Sequence, residues 1–190
     1  MRLLMRASTI VGRPVVSLGG DLIGEIKDVV FNRGEGRVVG FTLNNSGFLS
    51  GPRKESLPWD GVHALGPDAV MVRHEQSLAP QNDVLGRSDA RGGSVLGARV
   101  LTDAGADLGE VTDAIVDVED RADVVGYEFV ASDALAERKG RALFIPIPDT
   151  LAVSGENLIV PAAAADFVGD DLAGFGADVE NFRARLSEGR

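Results

Sequence analysis

The sequence contains no cysteine. Disulfides, thiolate nucleophiles, Fe–S clusters and Cys-ligated zinc are excluded with it. Histidine is almost missing as well: His63 and His74 are the only two, which leaves little for a multi-histidine metal site or a His-based relay. No stretch approaches the roughly 20 apolar residues of a membrane span; the best, Leu158 to Val168, is broken by Pro161 and Asp166. The N-terminal Met1-Arg2-Leu3-Leu4-Met5-Arg6 has arginines but no secretory apolar core behind them, so a soluble cytoplasmic protein is expected. Basic charge is also scarce. Lys+Arg is 19 against Asp+Glu 29, a net −10. General nucleic-acid binders neutralise phosphates with surplus Lys and Arg, so direct nucleic-acid binding is not expected.

What is present is ordinary globular composition, 44% hydrophobic and 25% charged, in 190 residues. The chain also repeats itself. Gly12, Val15, Gly20, Gly24, Glu25 and Asp28 recur 85 residues later as Gly97, Val100, Gly105, Gly109, Glu110 and Asp113. Val38-Val39-Gly40 matches Val124-Val125-Gly126 at 86, and Leu57-Pro58 matches Ile145-Pro146 at 88. Val70-Met71-Val72 matches Leu158-Ile159-Val160, also at 88. An ordered series with slowly growing offsets points to two copies of one domain, 1–80 and 95–162. The polar, Gly-rich segment 81–94 between them reads as a linker, and 163–190 as a C-terminal helix outside the repeat.

Each copy reads as short antiparallel strands. Pro14–Ser17, Leu22–Phe31, Arg37–Leu43, Ser56–Trp59 and Ala69–Arg73 are rich in Val, Ile, Leu and Phe and are separated mostly by Gly, Asn or Asp. Gly19-Gly20 and Asp103-Ala104-Gly105 supply tight turns. Val39, Phe41 and Leu43 alternate with Gly40 and Thr42, which predicts one apolar face. Pro58 and Pro146 belong at a strand start, bulge or edge. So many strands in about 70 residues favour a small closed or nearly closed barrel, because closure limits exposed edges. The expected fold is all-β: two tandem small antiparallel barrels with a C-terminal α-helix.

Gly12, Gly24 and Asp28, with Gly97, Gly109 and Asp113, define this pattern. Together with the Val-Val-Gly and Leu-Pro strands they resemble the PRC-barrel domain, named for the cytoplasmic part of the photosynthetic reaction-centre H subunit. The same domain forms the C-terminal half of the ribosome-maturation factor RimM. The resemblance covers most of 8–75 and 94–161. It implies a strongly bent antiparallel barrel and an adaptor that docks on another protein, for instance in a membrane-associated complex. The chain lacks the H subunit's membrane helix and the distinct N-terminal barrel of RimM.

No residue pattern demands catalysis, a metal or a cofactor. Glu25/Glu110 and Asp28/Asp113 could form a carboxylate couple, but Asp at a strand bend more often accepts backbone N–H groups. Asp103, Asp107 and Glu110 miss the spacing of an EF-hand loop. Gly34-Glu35-Gly36 followed by Gly40 is not a dinucleotide fingerprint and enters a strand, so it reads as a hairpin turn. His63 and His74 align with Leu151 and Ala162, so neither is duplicated. Trp59 aligns with Ile147 and reads as a packing residue. Arg53-Lys54 and Arg138-Lys139, offset by 85, read as a basic loop tip in each copy, a solvated turn or a docking point for an acidic surface.

Val168, Leu172, Phe175, Val179, Phe182 and Leu186 form a helical stripe, firmest over Ala177–Ser187, because Gly169, Gly174 and Gly176 weaken its first half. It serves for packing on the chain's own barrels or, as a second use, for self-association. Residues 1–80 carry a net +1 and 81–190 a net −11. That acidity is a solubility feature or a face for a basic partner. Sixteen Arg against three Lys, with abundant Ala and Gly, points to a prokaryotic source. The expected function is a non-enzymatic protein-interaction adaptor. A RimM-like ribosome-assembly factor is the alternative, and a small-ligand barrel or hydrolase comes third.

Overall fold

A computed structural model describes residues 3–32, 36–47, 51–88, 95–119, 121–148, 152–153 and 156–189. Gly34 and Glu35 of the expected hairpin turn, residues 89–94 of the expected linker, and Leu151 lie outside the described residues. The chain divides into two compact units: Ala7–Arg91, here the first unit, and Met1–Arg6 with Gly92–Arg190, the second.

The strands of the first unit are β2 (Pro14–Ser17), β3 (Leu22–Asn32), β4 (Arg37–Asn45), β5 (Pro52–Pro58), β6 (Val62–Leu65), β7 (Val70–Val72) and β8 (Ala79–Pro80). A short helix, α1 (Gln81–Leu85), follows. β2, β3, β4 and β5 pair antiparallel in sequence, β7 returns parallel to β2, β6 pairs β7, and β8 pairs β5. The second unit holds β1 (Leu4–Arg6), β9 (Arg99–Thr102), β10 (Asp107–Asp117), β11 (Asp123–Ala131), β12 (Ala142–Pro146), β13 (Ala152–Val153), β14 (Asn157–Val160) and the helix α2 (Leu172–Glu188). Here β9, β10, β11 and β12 pair antiparallel, β14 lies parallel to β9, and β13 pairs β14. The molecule is thus mostly β with one long C-terminal helix. Among the described residues, backbone hydrogen bonds do not close the sheet of either unit into a ring, so the expected closure is not made by strand pairing.

The repeat extends to single hydrogen bonds. Gly12 N donates to Ile26 O at 2.8 Å, and Gly97 N to Val111 O at 2.8 Å. Both glycines sit at positive φ, +84° and +82°, where an L side chain is strained. Leu18 N donates to Val72 O as Asp103 N does to Val160 O, each at 2.9 Å. Three β-bulges recur as well. The extra residues are Ile23, Lys27 and Val39 in the first unit and Leu108, Thr112 and Val125 in the second. A bulge bends its strand and raises the local twist, which curls a small sheet tightly. It also explains a departure from the alternation expected of β4. Phe41 and Leu43 are buried, but the bulge leaves Val39 half-buried and turns Val38 inward.

Asp28 and Asp113 follow the Lys27 and Thr112 bulges. Asp28 Oδ2 accepts from Thr42 Oγ1 at 2.9 Å, and buried Asp113 accepts the Ala114 N–H at 2.8 Å. Pro58 and Pro146 end β5 and β12, where the missing N–H breaks no further ladder.

Two expectations about the ends of the repeat are corrected. The start of the expected linker is structured: α1 buries Val84, whose Cγ1 lies 2.9 Å from where a Cβ on Gly40 would stand. The C-terminal segment continues the repeat instead of departing from it. Phe144 and Gly169 exchange both backbone hydrogen bonds, the counterpart of the Ser56–Ala79 pairing of β5 and β8. α2 then lays Phe175 over Gly126, the counterpart of Gly40, with its ring 2.5 Å from a Cβ placed there. Each unit therefore ends in a helix whose apolar side chain rests on a bare glycine backbone.

α2 also begins earlier than its glycines suggest. Asp171 caps it by accepting the Gly174 N–H at 2.8 Å. Phe175, Val179 and Phe182 are fully buried. At about 1.5–3 kcal/mol per side chain their burial outweighs two interior glycines at about 1 kcal/mol each. The middle of the apolar stripe is thus engaged within its own unit, beside Ile115, Val125 and Phe144.

β1 belongs to the second unit, although the first unit follows it in the chain. Met5 stands opposite Val116 on β10 and is 7% exposed. Leu4 packs against the α2 cluster, and Arg6 pairs with Glu128 and lies 5.1 Å from the Phe144 ring centroid. Met5→Ala should therefore weaken the second unit, by about 2 kcal/mol or more. Hydrogen exchange should quicken in β10 and α2 and stay unchanged in β3; faster exchange in β3 instead would contradict this placement.

Tyr127, the only tyrosine, is buried on β11 opposite Ile145. Burial pushes its phenol up to about 12. The folded chain holds the neutral phenol, so this contribution is complete below the unfolded value of about 10 and is lost as pH rises through the folded value. Phenolate absorbance of the native protein should stay flat through about pH 10. Titration at that pH with the circular dichroism intact would be the contrary result.

Candidate functional site

The paired basic residues of the sequence do not form equivalent tips. Strand register sets the correspondence: Phe41 faces Leu57, and Tyr127 faces Ile145. Further back the register slips: Asn44 faces Pro52 in β5 where Val130 faces Ala142 in β12, so Arg53 falls just after the counterpart of Ala142 and not opposite Arg138. Arg53 lies on β5 with its side chain only 15% exposed. Its Nη1 donates to the Ile23 carbonyl at 2.6 Å, its Nε to Glu55 at 3.1 Å, and its Nη2 to Glu75. Burial alone would lower this guanidinium, but hydrogen bonds and charge from Glu75 and Glu55 together outweigh it and raise its pKa. Arg138 Nη1 donates to Val168 O at 2.9 Å, and Lys139 pairs with Asp133 at 2.6 Å. Lys54 is exposed. Charge reversal at Arg53 would set a third carboxylate beside Glu55 and Glu75, so it acts on stability as well as on any docking.

Arg53 instead forms the wall of a solvent-open recess of about 570 Å³ in the first unit. The β2–β3 turn makes a second wall. There Ser17 Oγ accepts the Asp21 N–H at 3.0 Å and stands 3.2 Å from the Asp21 carboxylate. Leu22, an exposed large apolar residue, follows this turn. The segment after β7 completes the recess with Arg73, His74 and Glu75. Glu75 is held by Arg53. The exposed Arg73 and His74 side chains have no ion pair or hydrogen bond among the described residues.

The second unit builds the same turn without the recess chemistry. Thr102 Oγ1 accepts the Ala106 N–H at 3.0 Å, as Ser17 does for Asp21, but alanine stands in place of the Asp21 carboxylate. The Val72/Val160 correspondence puts Pro161, Ala162 and Ala163 where Arg73, His74 and Glu75 stand. Asp103 replaces Leu18 and accepts the Ala162 N–H at 2.8 Å, tying that segment to its own turn.

The other residues singled out from sequence are scaffold or surface. Gly24 and Gly109 admit the partner strand: a Cβ would stand 2.6 Å from Asn44 O and 2.0 Å from Val130 O. Glu25 and Glu110 are exposed. His63 is exposed on β6, and Trp59 is half-buried with its ring centroid 6.2 Å from that of Phe41. Asp107 caps Gly109 N at 3.1 Å and pairs with Arg99. Among the described residues no three His, Asp or Glu side chains gather as metal ligands. Nor is any helix among them long and apolar enough to cross a membrane.

Sequence reasoning missed Ser17, Asp21 and Arg73, and took the missing counterpart of His74 as a sign of unimportance. That missing counterpart was the available signal, because it marks where one copy differs from the other.

Two curled, mostly antiparallel units with matching bulges and glycines, one bearing an open polar recess, define a small bulged β-domain whose variation lies at its surface. Residues 4–77 match the family model of the PRC-barrel domain. No curated protein matches the chain.

Proposed function

We propose that the chain is a non-enzymatic adaptor for another protein, built from two PRC-type barrels in tandem. One observation carries this reading: the two units share strand pairing, bulges and turn glycines, yet differ in the side chains around the β2–β3 turn and the segment after β7. A shared frame with different surfaces suits an adaptor that holds non-identical ligands. The interiors support it too, because Val15, Phe41 and Leu57, like Val100, Phe129 and Leu143, are fully buried core residues. The adaptor works in the cytoplasm on another protein, for instance in a membrane-associated complex.

The experiment is isolation of the native chain after mild cross-linking in its own cells. The adaptor reading expects it in a stoichiometric assembly with another protein. Co-sedimentation with small ribosomal subunits would instead favour the ribosome-assembly alternative. A chain recovered alone would contradict both.

A further inference from the structure

The recess of the first unit has features that a scaffold does not need. It is concave, lined by polar groups from four separated segments, and without equivalent lining in the second unit. Its charges are unevenly engaged. Glu75 is held by Arg53, which Glu55 shares, and Asp21 is turned to the Ser17 hydroxyl. Arg73 and His74 remain with no partner among the described residues. An apolar contact lies beside them, since Leu22 lines the recess at 56% exposure. Free cationic and imidazole donors next to an exposed leucine complement a ligand carrying carboxylates and an apolar side chain together.

We propose that this recess binds an acidic peptide segment of a partner protein, its carboxylates on Arg73 and His74 and an apolar side chain on Leu22. The inference rests on the adaptor reading and names the partner's chemistry. The fixed Arg53 guanidinium, tied to β3 by the Ile23 carbonyl, keeps one wall in place before the peptide arrives. Such preorganisation reduces the ordering entropy lost on binding.

The test is a nuclear magnetic resonance titration of the full isotope-labelled chain with a capped decapeptide of alternating Asp, Glu and Leu. The same peptide with Lys for the acids is the control, and free glutamate is the small-anion arm. The acidic peptide should move the Gly19, Asp21, Leu22 and Gln76 amides saturably. The double variant Arg73→Glu, His74→Ala should weaken it by at least about tenfold, with the spectrum outside the recess unchanged. Single Arg73→Gln should lie between the two. Unmoved recess amides, equal binding of the Lys peptide, unchanged affinity in the variants, or equal saturation by glutamate alone would each overturn the proposal. Self-association of the chain abolished by the same variant would assign the recess to a second copy and overturn it too. The two readings fail separately. A recess that ignores the peptide in a chain still found in a native protein assembly sinks the inference alone. A recess that binds it in a chain recovered alone sinks the adaptor.

Discussion

Phe175→Ala lowers the stability of the second unit by about 3–5 kcal/mol, the loss typical of a buried phenylalanine truncated in place. Phe175 is fully buried, 5.6 Å from Phe144 between ring centroids, and in one cluster with Ile115, Val125 and Val179. Its ring also occupies the space that Gly126 leaves open. Truncation opens a cavity that the bulged strand beneath cannot fill, because the Gly126 backbone is already held by Pro146 of β12. Equilibrium denaturation with hydrogen exchange locates the effect. Protection should fall in α2, β11 and β12 and persist in β4 and β5. A change under about 1 kcal/mol would mean that the helix does not stabilise its unit.

Gly109→Ala should be nearly as damaging, and more so than Gly24→Ala at the same place in the repeat. A Cβ on Gly109 would stand 2.0 Å from Val130 O and 2.9 Å from the Phe129 ring, at φ +149°. At Gly24 the nearest atom is Asn44 O at 2.6 Å, with no positive φ to add strain. Strain at such a φ costs of order 1–3 kcal/mol, and the strand separation adds to it, so about 3 kcal/mol or more is expected at Gly109. Denaturant midpoints of the two variants make the comparison, and equal losses would contradict it. Two glycines identical in sequence then differ in consequence, because the Gly109 backbone is closer to its neighbour.

The strands were largely legible because their signals are local. Val, Ile and Phe runs between glycines gave β2, β3, β4 and β7, and their second appearance 85–88 residues later gave β9, β10, β11 and β14. The bulges were not legible: nothing in Val38-Val39-Gly40 says that Val39 is the extra residue. α1 was hidden because five residues with one buried side chain, Val84, carry no periodicity. The docking of Leu4–Arg6 on β10 joins positions more than a hundred residues apart, beyond any local pattern. The recess was illegible for the same reason. Ser17, Arg53 and Arg73 meet only after the sheet has curled, and the sequence pointed to Arg53 and Arg138 as equal tips when the register makes them unequal.

The central claim is that function lies where two otherwise equivalent units differ. A photo-cross-linking side chain placed at His74, and separately at its counterpart Ala162, tests it in the full chain inside its own cells. The account predicts a protein adduct at position 74 that is absent at 162. Identical adducts at both positions, or none at either, would contradict it.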